Sequence, residues 1–263
     1  MRGFLITLLV LVVLIVGADF GARWIAEDRV ATQLQSQLKL DAKPDVAIHG
    51  FPFATQAAAG DYGSVTLTAE HIPYRQLRDI TLVADLGDVS LPPQSLVDGT
   101  VRSIPARTVT ASAQVDPADL ARVLRVSDVT VEPVTQASLD ARRASGAAAQ
   151  KALSGVDPSQ AVALTSTTTV LGQQVRASVI ATFKLSGGQI VLSARDIAVD
   201  SGDSASVPSV VTNALRGRLS GFSARVDPGS LPFSITATDL RAQDGKLVVS
   251  GTAKNVDLLG GSL

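Results

Sequence analysis

Residues 80–86 read Ile80-Thr-Leu-Val-Ala-Asp-Leu86, and residues 109–115 read Val109-Thr-Ala-Ser-Ala-Gln-Val115. In both, an apolar side chain recurs at every second position. A period of two puts those side chains on one face of an extended chain, so each stretch is expected to be a strand half buried against a core. Moving outward, Val65, Leu67 and Ala69 keep the same rhythm between Ser64, Thr66, Thr68 and Glu70. The C-terminal half repeats it over 161–170, 175–185, 190–199, 235–242 and 246–253. The connections are short: Gly172-Gln173, Gly187-Gly188 and Gln243-Asp244-Gly245. Consecutive strands joined by tight turns predict an antiparallel sheet rather than βαβ units.

Upstream of the strands the period changes. Ala26, Val30, Leu34 and Leu38 recur every four residues among charged and amide side chains, which predicts an amphipathic helix over 22–40, ended by Pro44. Shorter helices are expected from Asp116-Pro117, where an acid caps and proline fills the first helical position, over the Ala-rich 137–153, and over 208–219. Val-Asp-Pro occurs at 115–117, 156–158 and 226–228 and reads as punctuation at strand ends. The expected class is α+β, mainly β: a long antiparallel sheet packed on the N-terminal amphipathic helix and short helices.

The first residues carry an address. After Met1-Arg2-Gly3, the 15 residues from Phe4 to Ala18 are apolar apart from Thr7 and Gly17. That run is shorter than the roughly 20 residues needed to cross a hydrocarbon core and suits a cleaved signal peptide, with Val16-Gly17-Ala18 as a small-residue cleavage site. Read on to Trp24 and Ile25, it is long enough for a retained anchor with Trp24 at the interface. Residues 1–22 are therefore either a signal peptide or a signal anchor. Residues 23–263 are expected to form one extracytoplasmic β-rich domain, divisible into pseudo-halves near 150–158.

Composition narrows the chemistry. The chain has 23 basic and 24 acidic residues, no cysteine and two histidines. A balance this close to neutral argues against a nucleic-acid partner. Without cysteine, and with only His49 and His71, there is no thiolate site and no ordinary zinc site, so neither metal nor cofactor is expected. Gly202-Asp203-Ser204 resembles a lipase nucleophile block but has no histidine after it to act as base. Asp85 and Asp88 are better read as solvated strand-end acids than as a glycosidase pair. No catalytic residue is assigned.

The strand faces are built from small side chains: Ala69, Ala84, Ala111, Ala113, Ala177, Ala181, Ala237 and Ala253 among Val, Leu and Ile. Close packing requires something to fill the space above them. Either a helix lies there or an apolar ligand such as an acyl chain does.

At Ile48-His49-Gly50-Phe51-Pro52-Phe53, followed by Gly60-Asp61-Tyr62 and the strand from Val65, and again at Leu231-Pro232-Phe233 to Asp244-Gly245-Lys246-Leu247, the chain resembles the actinobacterial LmeA-type phospholipid-binding family. The resemblance implies a curved fold similar to tubular lipid-binding proteins. It also implies an envelope location, binding of phospholipid with phosphoinositides as candidates, and a role in lipomannan and lipoarabinomannan maturation. It brings no catalytic residue.

Two pairs are the candidate lipid-binding residues. Phe51 and Phe53 flank Pro52, which stiffens the bend. They are either a core staple between helix and first strand or a lip that touches membrane or ligand. Arg216 and Arg218, beside Gly217 and Gly221, offer guanidinium forks for a phosphate; the pairs Arg75/Arg78, Arg122/Arg125 and Arg142/Arg143 are also considered. The function expected is non-enzymatic binding of an anionic phospholipid or membrane surface; the alternative is a membrane-tethered scaffold with no lipid ligand.

Overall fold

The computed structural model describes residues 2–74, 77–98, 101, 103–124, 126–170, 173–186, 189–200, 223–226 and 236–259. The helix 208–219, the pair Arg216 and Arg218, Gly202-Asp203-Ser204 and the Leu231-Pro232-Phe233 segment lie outside them.

The chain opens with one continuous helix, α1 (Arg2–Leu38), followed by β1 (Asp45–His49), α2 (Phe53–Ala59), β2 (Asp61–Tyr74), β3 (Leu77–Ser90), α3 (Pro93–Asp98) and β4 (Pro105–Val115). Next come α4 (Pro117–Leu124), β5 (Thr130–Pro133), α5 (Gln136–Ala144), α6 (Ala147–Ala152) and a 3-10 turn at Pro158–Gln160. The described chain ends with β6 (Ala161–Val170), β7 (Gln173–Ser186), β8 (Gln189–Asp200), β9 (Ser223–Val226), β10 (Thr236–Gln243) and β11 (Lys246–Asp257). The class is α+β with antiparallel sheets and no closed barrel.

The strands fall into two sheets, ordered β1-β2-β3-β4-β11-β10 and β5-β6-β7-β8-β9, rather than one long sheet. The reason lies at the edge of β4. There β11 pairs over its whole length, from Leu247 opposite Val115 to Asp257 opposite Pro105. With that edge occupied, β5 cannot add to it, and the chain starts a second sheet after α4. Asp244 and Gly245 both have positive φ (51° and 75°), the backbone of a two-residue primed turn, and they join β10 to β11.

The two halves of α1 differ. Phe4 through Ile15 project into solvent, whereas Asp19, Ala26, Val30, Ala31 and Leu34 are buried. Asp19, Ala26, Val30 and Leu34 are spaced by seven and four residues, two turns and one, which with the adjoining Ala31 puts them on one face. That face covers one end of the first sheet, packing with Val46, Ile48, Val65, Leu86 and Val109. Polar bonds hold it there: Ile48 N–H donates to Glu27 at 2.8 Å and the Gln37 amide donates to the Val101 carbonyl at 2.7 Å. A second core joins the sheets, with Val115, Leu240 and Leu247 against Val131, Val162 and Phe183. A third lies on the opposite face of the second sheet, where Leu139 and Leu153 pack on Ala161 and Ile180. The Ala-rich stretch 137–153 is two helices, broken at Ser145-Gly146 where glycine weakens helix propagation.

Candidate lipid-binding site

Two ladders of small apolar residues cross the first sheet between its two cores. Leu67 pairs with Ala84, Ala84 with Ala111, and Ala111 with Gly251; one step along, Ala69 pairs with Leu82, Leu82 with Ala113, and Ala113 with Val249. Directly paired residues share a face, and these continue the apolar face of Val65, Leu86 and Val109. Toward one end they merge with the core under α1, toward the other with the core shared by both sheets. Ala69, Leu82 and Ala113 belong to neither. Leu67, Ala69, Leu82, Ala84, Ala111, Ala113 and Val249 are all half-buried, so among the described residues nothing closes over the middle of the sheet. Four strands at about 4.8 Å spacing make this band about 14 Å wide, floored largely by methyl groups.

Under α1 the sheet is full. The cavity bounded by Val30, Ile48, Tyr62, Val65, Leu86 and Ile104 measures about 20 Å³, too small for an acyl chain. Among the described residues the Tyr62 hydroxyl, buried there, has no hydrogen-bond partner, and burial pushes its pKa up. Helix α1 thus fills one end of this apolar face, and the small-residue band lies beyond it.

The structure separates the two phenylalanines of the Phe51-Pro52-Phe53 bend. Phe53 is buried, its ring 6.2 Å from that of Tyr62, and is the staple between helix and sheet. Phe51 is 63% exposed and stacks on Phe20 of α1 with ring centroids 6.4 Å apart. The bend is fixed to α1 by a residue the sequence did not single out. The Asp19 carboxylate accepts the backbone N–H of Phe53 at 2.8 Å and of Ala54 at 2.7 Å, capping α2 from another helix. At the far end of α2, Gly60 adopts the left-handed conformation (φ 74°), with its N–H bonded to the Gln56 carbonyl.

Of the other arginine pairs, Arg75 and Arg125 lie outside the described residues, and Arg122, Arg142 and Arg143 serve the fold. Arg142 donates to Asp196 and to the Ser178 carbonyl; Arg143 donates to Asp140 and to the Leu153 and Val156 carbonyls. Arg122 pairs with buried Asp119, which also accepts the backbone N–H of Arg78 and Asp79. Burial raises the Asp119 pKa, but the two backbone bonds and Arg122 outweigh it and hold the carboxyl below its ordinary value. Asp119 lies in the first turn of α4 and ties that helix to β3.

His49 lies on an exposed surface, its Nε2 2.9 Å from the Thr66 hydroxyl, which in turn donates to Asp85. His71 bonds Asp79, and Asp88 faces Arg107 at 3.6 Å. On the outer side of the second sheet, Asp128, Glu132, Arg142, Thr167, Arg176 and Ser178 line an open polar recess of about 490 Å³. Its open form and mixed charges, Asp128 and Glu132 against Arg142 and Arg176, suit it to polar groups better than to chains. Among the described residues no group of three potential metal ligands converges.

An apolar band of small side chains beside a helix-filled core, behind a long exposed apolar helix, suits a protein that meets lipid. Comparison with curated proteins gives no match. The profile of the LmeA-like phospholipid-binding family, however, matches residues 17–252, from the end of the apolar run to the last strand, and the chain belongs to that family.

Proposed function

We propose that the protein is a non-enzymatic, extracytoplasmic phospholipid-binding protein of the cell envelope. It takes acyl chains on the band formed by Leu67, Ala69, Leu82, Ala84, Ala111, Ala113 and Val249. The observation that carries the reading is that band: an apolar sheet face left half-open between two closed cores. Burying ten methylenes there contributes on the order of 8 kcal/mol before the costs of ordering the chain. Within this reading the headgroup is anionic, a phosphoinositide being the candidate that the family resemblance supplies, and the pathway served is lipomannan and lipoarabinomannan maturation. Arg216 and Arg218 are the proposed phosphate forks, and Phe51 the proposed lip. The engagement of His49, His71, Asp85 and Asp88 with exposed neighbours supports binding without chemistry.

One observation favours a second reading, a tethered scaffold without ligand: α1 already fills one end of the apolar face, leaving only about 20 Å³. Native mass spectrometry of protein purified from its host, with lipid extraction, separates the two. A bound mass that extracts as phospholipid supports the first reading. Lipid-free protein that also fails to float with phosphatidylinositol or phosphatidylcholine vesicles supports the scaffold.

A further inference from the structure

Helix α1 does not stop where its apolar run stops. It passes unbroken from the exposed segment Phe4–Ile15 into the face that packs on the first sheet. The first residue after the run, Asp19, is 8% exposed and bonded to the Phe53 and Ala54 backbone. The helix and the folded body are therefore joined at the run's end, not through a linker. The next residue, Phe20, carries Phe51 stacked against it, and one turn further on stands Trp24; Phe20, Phe51 and Trp24 are 55%, 63% and 68% exposed. Large aromatics left in water at one place, on two separate segments, have a partner.

Length identifies it. The 15 residues from Phe4 to Ala18 rise about 22 Å as a helix, against a hydrocarbon core of about 30 Å. A helix that short draws its flanking residues toward the bilayer. Phe20 and Trp24 then fall at the boundary between chains and headgroups, the layer aromatic side chains prefer. Phe51 comes with them because it rides on Phe20. The charge of Asp19 in that layer is met by the two backbone donors it already holds.

We propose that α1 is retained uncleaved, and that Phe20, Trp24 and Phe51 form a collar seating the folded body directly on the bilayer that α1 spans. Asp19 is the latch that sets the body's orientation. Cleavage after Ala18 would cut the helix immediately before that latch and remove the turn that supports it. The inference holds whether or not the small-residue band carries a lipid.

The test uses the full chain from host membranes. Its intact mass is expected to include residues 1–18; a mature N-terminus at Asp19 or beyond overturns the proposal. Trp24 is the sole tryptophan, so Trp24→Phe with Phe51→Trp moves the reporter to the loop of the body. In phosphatidylcholine vesicles carrying lipids brominated near the headgroup, emission from position 51 should fall roughly twofold, as interfacial placement requires. Adding Asp19→Ala should relieve much of that quenching while α1 stays in the membrane. Emission from position 51 untouched by the bromolipid, in protein whose melting matches the parent, means the body stands clear of the bilayer and overturns the proposal.

Discussion

Phe53 and Tyr62 face each other with ring centroids 6.2 Å apart and both side chains buried, while Phe51, two residues from Phe53, stands in solvent on the other side of Pro52. The bend thus divides two neighbouring aromatics between core and surface. Phe53→Ala should destabilise the protein by about 3–5 kcal/mol, the usual result of emptying a buried aromatic site. Phe51→Ala should cost about 1 kcal/mol or less, in keeping with surface substitutions. Urea midpoints of the two variants check the ranking.

Asp119→Ala removes the acceptor for two backbone N–H groups and strands Arg122. An unmet buried donor costs about 1–3 kcal/mol, so a loss of about 2–4 kcal/mol is expected near neutral pH. Because the folded carboxyl titrates below the ordinary 3.8, its contribution is fully present above that value and is lost as pH falls through the lower, folded pKa. The stability gap between parent and variant should therefore stay constant from neutral pH down to about pH 5 and narrow at about pH 4 and below. Denaturant titrations at several pH values read the gap directly.

Ala113→Phe places a large apolar side chain on the open band. Since Ala113 is half-buried and belongs to neither core, the ring has room and the melting temperature should change little. Phospholipid extractable from the purified protein should fall several-fold. Unaltered lipid content would move the chains away from this face.

Arg216→Ala with Arg218→Ala should reduce the preference for phosphatidylinositol over phosphatidylcholine vesicles in flotation while leaving substantial binding. Charge-assisted bonds contribute about 1.5–3 kcal/mol each against the larger burial of chains. Equal loss with both lipids would assign the pair a structural role.

His49→Ala should leave both stability and lipid binding within about 0.5 kcal/mol of the parent, since the ring lies on an exposed surface and bonds only a threonine hydroxyl among the interactions seen. Loss of lipid content in that variant would reopen the His49–Thr66–Asp85 chain as functional.

The strands and their faces were legible in the sequence because their cause is local. Alternation marked 80–86 and 109–115, and β3 and β4 carry those residues in register, Leu82 opposite Ala113 and Ala84 opposite Ala111. The small-residue faces were legible for the same reason. What covers them was not: periodicity says that a face is apolar, and only the fold says that α1 closes one end and leaves the middle half-open. The division into two sheets was also hidden, since pairing of β4 with β11 is a contact between segments more than a hundred residues apart. The roles of Asp19 and Asp119 were hidden because a lone acid beside an apolar run or in a first helical turn has an ordinary local reading. Their partners, at residues 53–54 and 78–79, are remote in sequence.

The placement of β11 between β4 and β10 also sets a timetable for biosynthesis. Strands β1 to β4 can form their hairpins as soon as they emerge, but the free edge of β4 waits for residues 246–257, after the whole second sheet has been made. Until then that edge is an open template for foreign strands. Closing it late, across such a long intervening chain, is slow compared with hairpin formation. The newborn chain thus passes through a window in which four of the six strands of its larger sheet are built and unsealed, and a helper that shields β4 would find its client there.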